Sequence, residues 1–68
     1  MLIGTILQYS DSRGFGFIAE QGTTRQHFFH VSSCDFFPVA GQPVHFELGQ
    51  GRKGIAAVNV RMAAGGVK

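Results

Sequence analysis

The stretch Arg13-Gly14-Phe15-Gly16-Phe17-Ile18 admits few structures. Side chains alternate between the two faces of an extended strand, so Phe15 and Phe17 share one face and Gly14, Gly16 and Ile18 share the other. Either both rings are core and Ile18 faces water, or Ile18 is core and two neighbouring rings face water. A small soluble domain does not normally tolerate the second arrangement without a use for it. A flat aromatic pair with an arginine at its start is what a stacking platform for bases needs, because every base has a π-face and a phosphate beside it.

The rest of the chain limits what can surround this strand. Sixty-eight residues make one domain, and a domain of this size buries only about 60% of the surface its unfolded chain exposes. A formal net charge of +2 permits an anionic partner without demanding one. Cys34 is the single cysteine, which excludes an internal disulfide. The first residues show no charged region followed by a long apolar run, so the expectation is a soluble, cytoplasmic chain with no membrane span.

Strand and turn signals follow one another along the chain. Residues 2–9 are rich in β-branched and aliphatic side chains and end at Ser10-Asp11-Ser12, a turn. With Ile6 inward, alternation points Leu7 and Tyr9 outward, and Tyr9 is expected beside Phe15 and Phe17 on the next strand, residues 13–19. Gln21-Gly22-Thr23-Thr24 is a second turn. In a third strand, residues 26–31, Phe28 and His30 share one face and His27 and Phe29 the other. Residues 32–42 contain Pro38 and Gly41 and read as a loop with one short helical turn. Residues 44–48 form a fourth strand, with Val44, Phe46 and Leu48 alternating against His45 and Glu47. A glycine-bounded basic turn holding Arg52 and Lys53 leads to a fifth strand, residues 55–61, with Val58 and Val60 on one face. The domain is expected over residues 1–62, with a flexible tail over 63–68. Five short strands with glycine-rich turns and no helical period indicate an all-β barrel or sandwich, and at this length a closed barrel, which leaves no unpaired edge.

Gly4-Thr5-Ile6, Arg13-Gly14-Phe15-Gly16-Phe17-Ile18, Phe28-Phe29-His30-Val31-Ser32, Gly41-Gln42-Pro43-Val44-His45-Phe46, Lys53-Gly54 and Asn59-Val60 together resemble the bacterial cold-shock domain, in order and nearly end to end. The resemblance covers residues 3–60. It implies a five-stranded antiparallel oligonucleotide/oligosaccharide-binding (OB) barrel that binds single-stranded RNA or DNA, often as an RNA chaperone. Matched position by position, it implies binding residues at Arg13, where the family has lysine, and at Phe15, Phe17, Phe28 and His30. The chain also departs from the family. Gln8-Tyr9 stands where a tryptophan-phenylalanine pair is usual, Leu7 where lysine is common, and Val31 where a phenylalanine adds to the platform. The loop after the third strand is shorter and carries Phe36-Phe37, either of which could fold over the binding face or cap the barrel. Arg52 and Lys53 are candidate phosphate contacts and equally plain solvated turn residues.

Chemistry of other kinds finds little support. His27, His30 and Cys34 have a loose metal-like spacing, but residues three apart on one strand point to opposite faces, so no metal or cofactor is expected. Asp11, Glu20, Asp35 and Glu47 are scattered singly, with no carboxylate pair or activated nucleophile, and no enzyme is expected. The glycines of Gly14-Phe15-Gly16 lie in a strand and open no helix, unlike a dinucleotide fingerprint. The rival is a protein-interaction or self-associating module that uses the same rings. The chain is thus expected to be a monomer, or a dimer that swaps strands through the loop over residues 32–42.

Overall fold

The computed structural model describes residues 1–51 and 54–63. Arg52, Lys53 and the tail beyond Ala63 lie outside the described residues. Five strands, β1 (Leu2–Ser10), β2 (Phe15–Glu20), β3 (Gln26–His30), β4 (Pro43–Gly51) and β5 (Gly54–Met62), close into a barrel in the order β1-β2-β3-β5-β4. Four of the junctions are antiparallel, and β3 meets β5 in parallel at Phe29 and Ala57.

The alternation of apolar residues places at least one side chain from every strand in a common core. Ile6, Ile18, Phe29, Val44, Phe46, Ala57 and Val60 form it, and each is almost wholly withdrawn from water. A fully buried side chain of this kind contributes roughly 1.5–3 kcal/mol, so these few positions carry most of what stabilises the domain. Leu2, Tyr9, Cys34 and Phe36 pack around them.

Closing so small a barrel brings backbones very close. Gly4 pairs with Glu20 on one side and Val44 on the other, and a Cβ there would fall on the carbonyl oxygen of Ala19. At Gly16 a Cβ would fall on the carbonyl oxygen of Gln8 and lie 2.9 Å from Tyr9 Cα. The β1–β2 turn bends through Gly14 at φ +76°, whose N–H donates to Ser10 O at 2.7 Å and whose carbonyl accepts from Val31 N–H at 2.7 Å. Arg13 therefore sits in this turn, and the strand begins at Phe15.

Two irregularities overturn simple alternation. In β1, Ile6 pairs with Ile18 but Gln8 pairs with Phe17, leaving Leu7 as an extra residue. A bulge of this kind exchanges the faces of everything beyond it. In β5, Arg61 pairs with His45 and Val58 with Glu47, so the two residues Asn59 and Val60 oppose Phe46 alone. Asn59 takes φ 51°, and its Nδ2 donates to Glu47 Oε1 at 2.9 Å. Val58 and Val60 consequently lie on opposite faces, Val60 in the core and Val58 half-exposed on the outside, contrary to the expectation that they share one. Leu48 stays on the face of Val44 and Phe46, opposite the buried Ala57, yet is 41% exposed. Only residues as far as Phe46 on β4 pair with β1, so Leu48 has no strand beside it on that side.

Val31–Ser33 forms a 3-10 turn, the short helical turn expected after the third strand, which itself ends at His30. Cys34 then bridges in parallel to Val60 and ties the loop to β5.

Candidate nucleic-acid interface

Ile18 is wholly buried, which sends Phe15 and Phe17 outward. Register then assembles the face: Phe17 stands opposite Phe28 and Phe15 opposite His30 across β2 and β3. The ring centroids of Phe15 and Phe28 are 5.4 Å apart at 35°, and those of Phe17 and Phe28 are 6.0 Å apart at 78°. Both spacings fall in the range of favourable aromatic pairs. Each ring is half-exposed, sheltered by its neighbours and not by the core. Phe28 is the middle of the set.

His30 is exposed at the edge of this face. The backbone N–H of Ser32 donates to His30 Nδ1 at 3.1 Å, and Ser32 Oγ lies 2.9 Å from the same nitrogen. A nitrogen that accepts a backbone N–H cannot carry the proton of the neutral ring, so that proton is on Nε2. The 3-10 turn thus holds the imidazole in one orientation with its donor free.

Tyr9 is not beside Phe15 and Phe17 on the outer face. The extra residue Leu7 carries Tyr9 into register with Gly16, on the core side, where its ring stacks on Phe29 at 6.1 Å and 17°. Gln8 takes the outward place opposite Phe17, and Ser10 lies opposite Phe15. Tyr9 remains half-exposed at the barrel end, and with Gln8, Ser10, Arg13, Phe15, Gly16 and Phe17 it lines a hollow of about 280 Å³. Burial of the ring's flank, with Asp11 and Cys34 nearby, raises the pKa of its hydroxyl. Arg13 is exposed.

The choice between the two loop phenylalanines is resolved by packing. Phe36 packs against the core, whereas Phe37 is 66% exposed and meets Tyr9 edge-on at 6.2 Å. Phe37 is the exposed ring of the loop, at the end of the aromatic face near Tyr9. On the far side, Phe15, Phe28 and His30 border a second groove of about 760 Å³ that continues over Ile55, Ala56 and Val58. Gln8 and these β5 residues were not among the expected site residues. Placing them requires knowing the two bulges. Arg52 and Lys53, candidate phosphate contacts and equally solvated turn residues, lie outside the described residues.

Two further titratable side chains, His27 and Cys34, lie away from the aromatic face. His27 faces inward at the barrel end, its Nε2 2.8 Å from Glu20 Oε1 and its ring centroid 5.6 Å from that of Phe46. Cys34 is a free thiol whose pKa is pushed up to about 11 by burial first and by Asp35 second. Among the described residues no group of histidine, cysteine and carboxylate side chains could hold a metal ion, and no helix is long and apolar enough to cross a membrane.

Comparison with known proteins agrees with this geometry. Residues 2–63 match the family model described as the 'cold-shock' DNA-binding domain. The cold shock-like protein CspA of Stigmatella aurantiaca is 42% identical over 65 residues, covering 90% of this chain and 96% of its own. The cold shock-like protein CspC of Escherichia coli K12 is 41% identical over 61 residues, covering 84% of this chain and 88% of its own. Among solved structures, a drosophila Unr fragment, CSD456, superposes with a TM-score of 0.74 at 22% identity, over 91% of this chain and 26% of that one. A barrel of this topology with its aromatic face outward, matched nearly end to end by these relatives, belongs to the cold-shock DNA-binding domain family.

Proposed function

We propose that this protein binds single-stranded RNA or DNA by stacking bases on Phe15, Phe17 and Phe28, with His30 and Phe37 at the borders, and acts as an RNA chaperone. The observation that carries this reading is the contiguous set of three rings on the outside of the barrel, held 5.4 and 6.0 Å apart around Phe28. Each stacked base contributes on the order of 1–3 kcal/mol, less the cost of ordering the strand. Three or four such bases support binding in the micromolar range. Stacking reads no base edge, so it tolerates many sequences. Duplexes keep their π-faces inside their own stack, so the protein traps unpaired strands and melts weak secondary structure by mass action, with no nucleotide hydrolysis. Arg13 beside the platform adds a positive charge and with it a modest salt dependence.

Exposed apolar residues favour a second reading. Phe37 and Ile55 are 66% and 64% exposed at opposite borders of the platform, and a contiguous apolar surface also suits a protein partner or a second copy.

One titration separates the two. Anisotropy of a dye-labelled seven-nucleotide oligothymidine, titrated with wild type and with Phe15→Ala/Phe28→Ala at low and moderate salt, should show saturable binding lost in the folded double variant. Absence of binding at tens of micromolar would refute the nucleic-acid reading and leave the protein-interface one.

A further inference from the structure

The two ends of the platform differ chemically. Beyond Phe28 the larger groove is mainly apolar where Ile55, Ala56 and Val58 border it, with His30, Ser32, Ser33 and Gln50 as its polar side chains. Beyond Phe17 the smaller hollow is lined by Gln8, Tyr9, Ser10 and Arg13, all of which carry hydrogen-bonding side chains. The bulge at Leu7 creates this end, because it turns Tyr9 inward and brings the Gln8 amide up beside Phe17. Among the described residues neither the Gln8 amide nor the Arg13 guanidinium has a side-chain hydrogen-bond partner. Their donors are available to a ligand.

We propose that the Gln8–Arg13 hollow reads the edge of one base at the end of the bound strand and favours guanine there. The inference rests on the single-strand-binding reading above and deepens it. A base lying against Phe17 directs its edge toward the hollow, whose volume of about 280 Å³ is small for a ligand pocket and suits a single base. Guanidinium presents a rigid fork of donors and no acceptor, and guanine, with O6 and N7 side by side, is the purine whose edge matches a fork bidentately. The Gln8 amide adds a further donor and one acceptor. Adenine offers N7 next to a donor, which repels one arm of the fork, and thymine offers no adjacent pair of acceptors. The other rings of the platform keep their tolerance of sequence, so the preference belongs to one position of the strand.

The test is a scan of a dye-labelled oligothymidine heptamer in which a single deoxyguanosine is moved through all seven positions, read by anisotropy against the all-thymine strand. At one terminal position guanine should bind about tenfold more tightly than thymine. That guanine-to-thymine ratio should fall toward one in Gln8→Ala and in Arg13→Ala. Arg13→Lys keeps the charge and loses the fork, so it should also lose the ratio. If Arg13→Lys retains the full ratio, Arg13 is a phosphate contact and the proposal fails. Equal binding of all seven strands within twofold, with the all-thymine strand still bound, would overturn this inference and leave the stacking platform intact. Failure of the folded protein to bind any of the strands would overturn both.

Discussion

Phe28→Ala is the substitution that weighs most heavily on the platform. Phe28 is the ring that touches both others, at 5.4 Å from Phe15 and 6.0 Å from Phe17. Its removal deletes one stacking surface, on the order of 1–3 kcal/mol of binding, and leaves the two rings of β2 without the ring between them. The expected loss lies toward the upper half of that range, roughly 30- to 150-fold in Kd. Stability should suffer far less. Phe28 is half-exposed, so truncation removes only part of a phenylalanine's burial and two aromatic pairs, together about 1–2 kcal/mol. The neighbouring Phe29→Ala is the contrast: Phe29 is fully buried against Tyr9 and the rest of the core, and its loss should cost about 3–5 kcal/mol, a large fraction of the stability of a domain this small. The assay pairs anisotropy of labelled oligothymidine with thermal unfolding followed by circular dichroism. A folded Phe28→Ala protein that binds within threefold of wild type would refute the stacking argument, whatever its melting temperature.

Other positions yield sharper tests of the barrel itself. Gly16→Ala should be destabilising by several kcal/mol, because its Cβ meets the backbone of Gln8 and Tyr9 and not a side chain that could move aside; unfolding in urea would show it. Asn59→Ala should cost about 1–2 kcal/mol, since alanine tolerates φ 51° poorly and the bond to Glu47 is lost, while Asn59→Gly should recover part of that loss, and equal stability of the two variants would contradict the backbone account. The Cys34 thiol, with its pKa pushed up from 9.0 to about 11, should react slowly with a maleimide at neutral pH until the protein is unfolded. Between those two values the unfolded chain holds fewer protons than the folded one, so stability should fall as the pH rises through this window and be unaffected below it. Cys34→Ser should flatten that fall; Tyr9, whose pKa is also raised, leaves a residual slope of the same sign.

What the sequence disclosed depended on how far a period of two could be trusted. Along β2 and β3 the period runs without interruption, so the outward rings Phe15, Phe17 and Phe28, the exposed His30 and the buried Ile18 and Phe29 all follow from alternation once one of them is placed. In β1 and β5 it breaks. Nothing in Ile6-Leu7-Gln8-Tyr9 announces an extra residue, since Leu7 is as acceptable inside a strand as at a bulge, and the error displaced Tyr9 from the outer face and hid Gln8 on it. Asn59 did carry a local signal, because asparagine is among the few residues that accept a left-handed backbone, and reading it as a bulge would have separated Val58 from Val60. Both breaks follow from closure. A five-stranded barrel must bend its longest strands sharply, and β1 pairs with β4 over Leu2–Thr5 and with β2 over Gly4–Ser10. The bulge at Leu7 lies just beyond the doubly paired Gly4 and Thr5, where β1 parts from β4 and follows β2 alone, and it sets which side chains border the platform. Closing the barrel and giving one end of its aromatic face a polar border are therefore the same structural event, which ties the chemistry of the Gln8–Arg13 hollow to the fold and not to the aromatic motif.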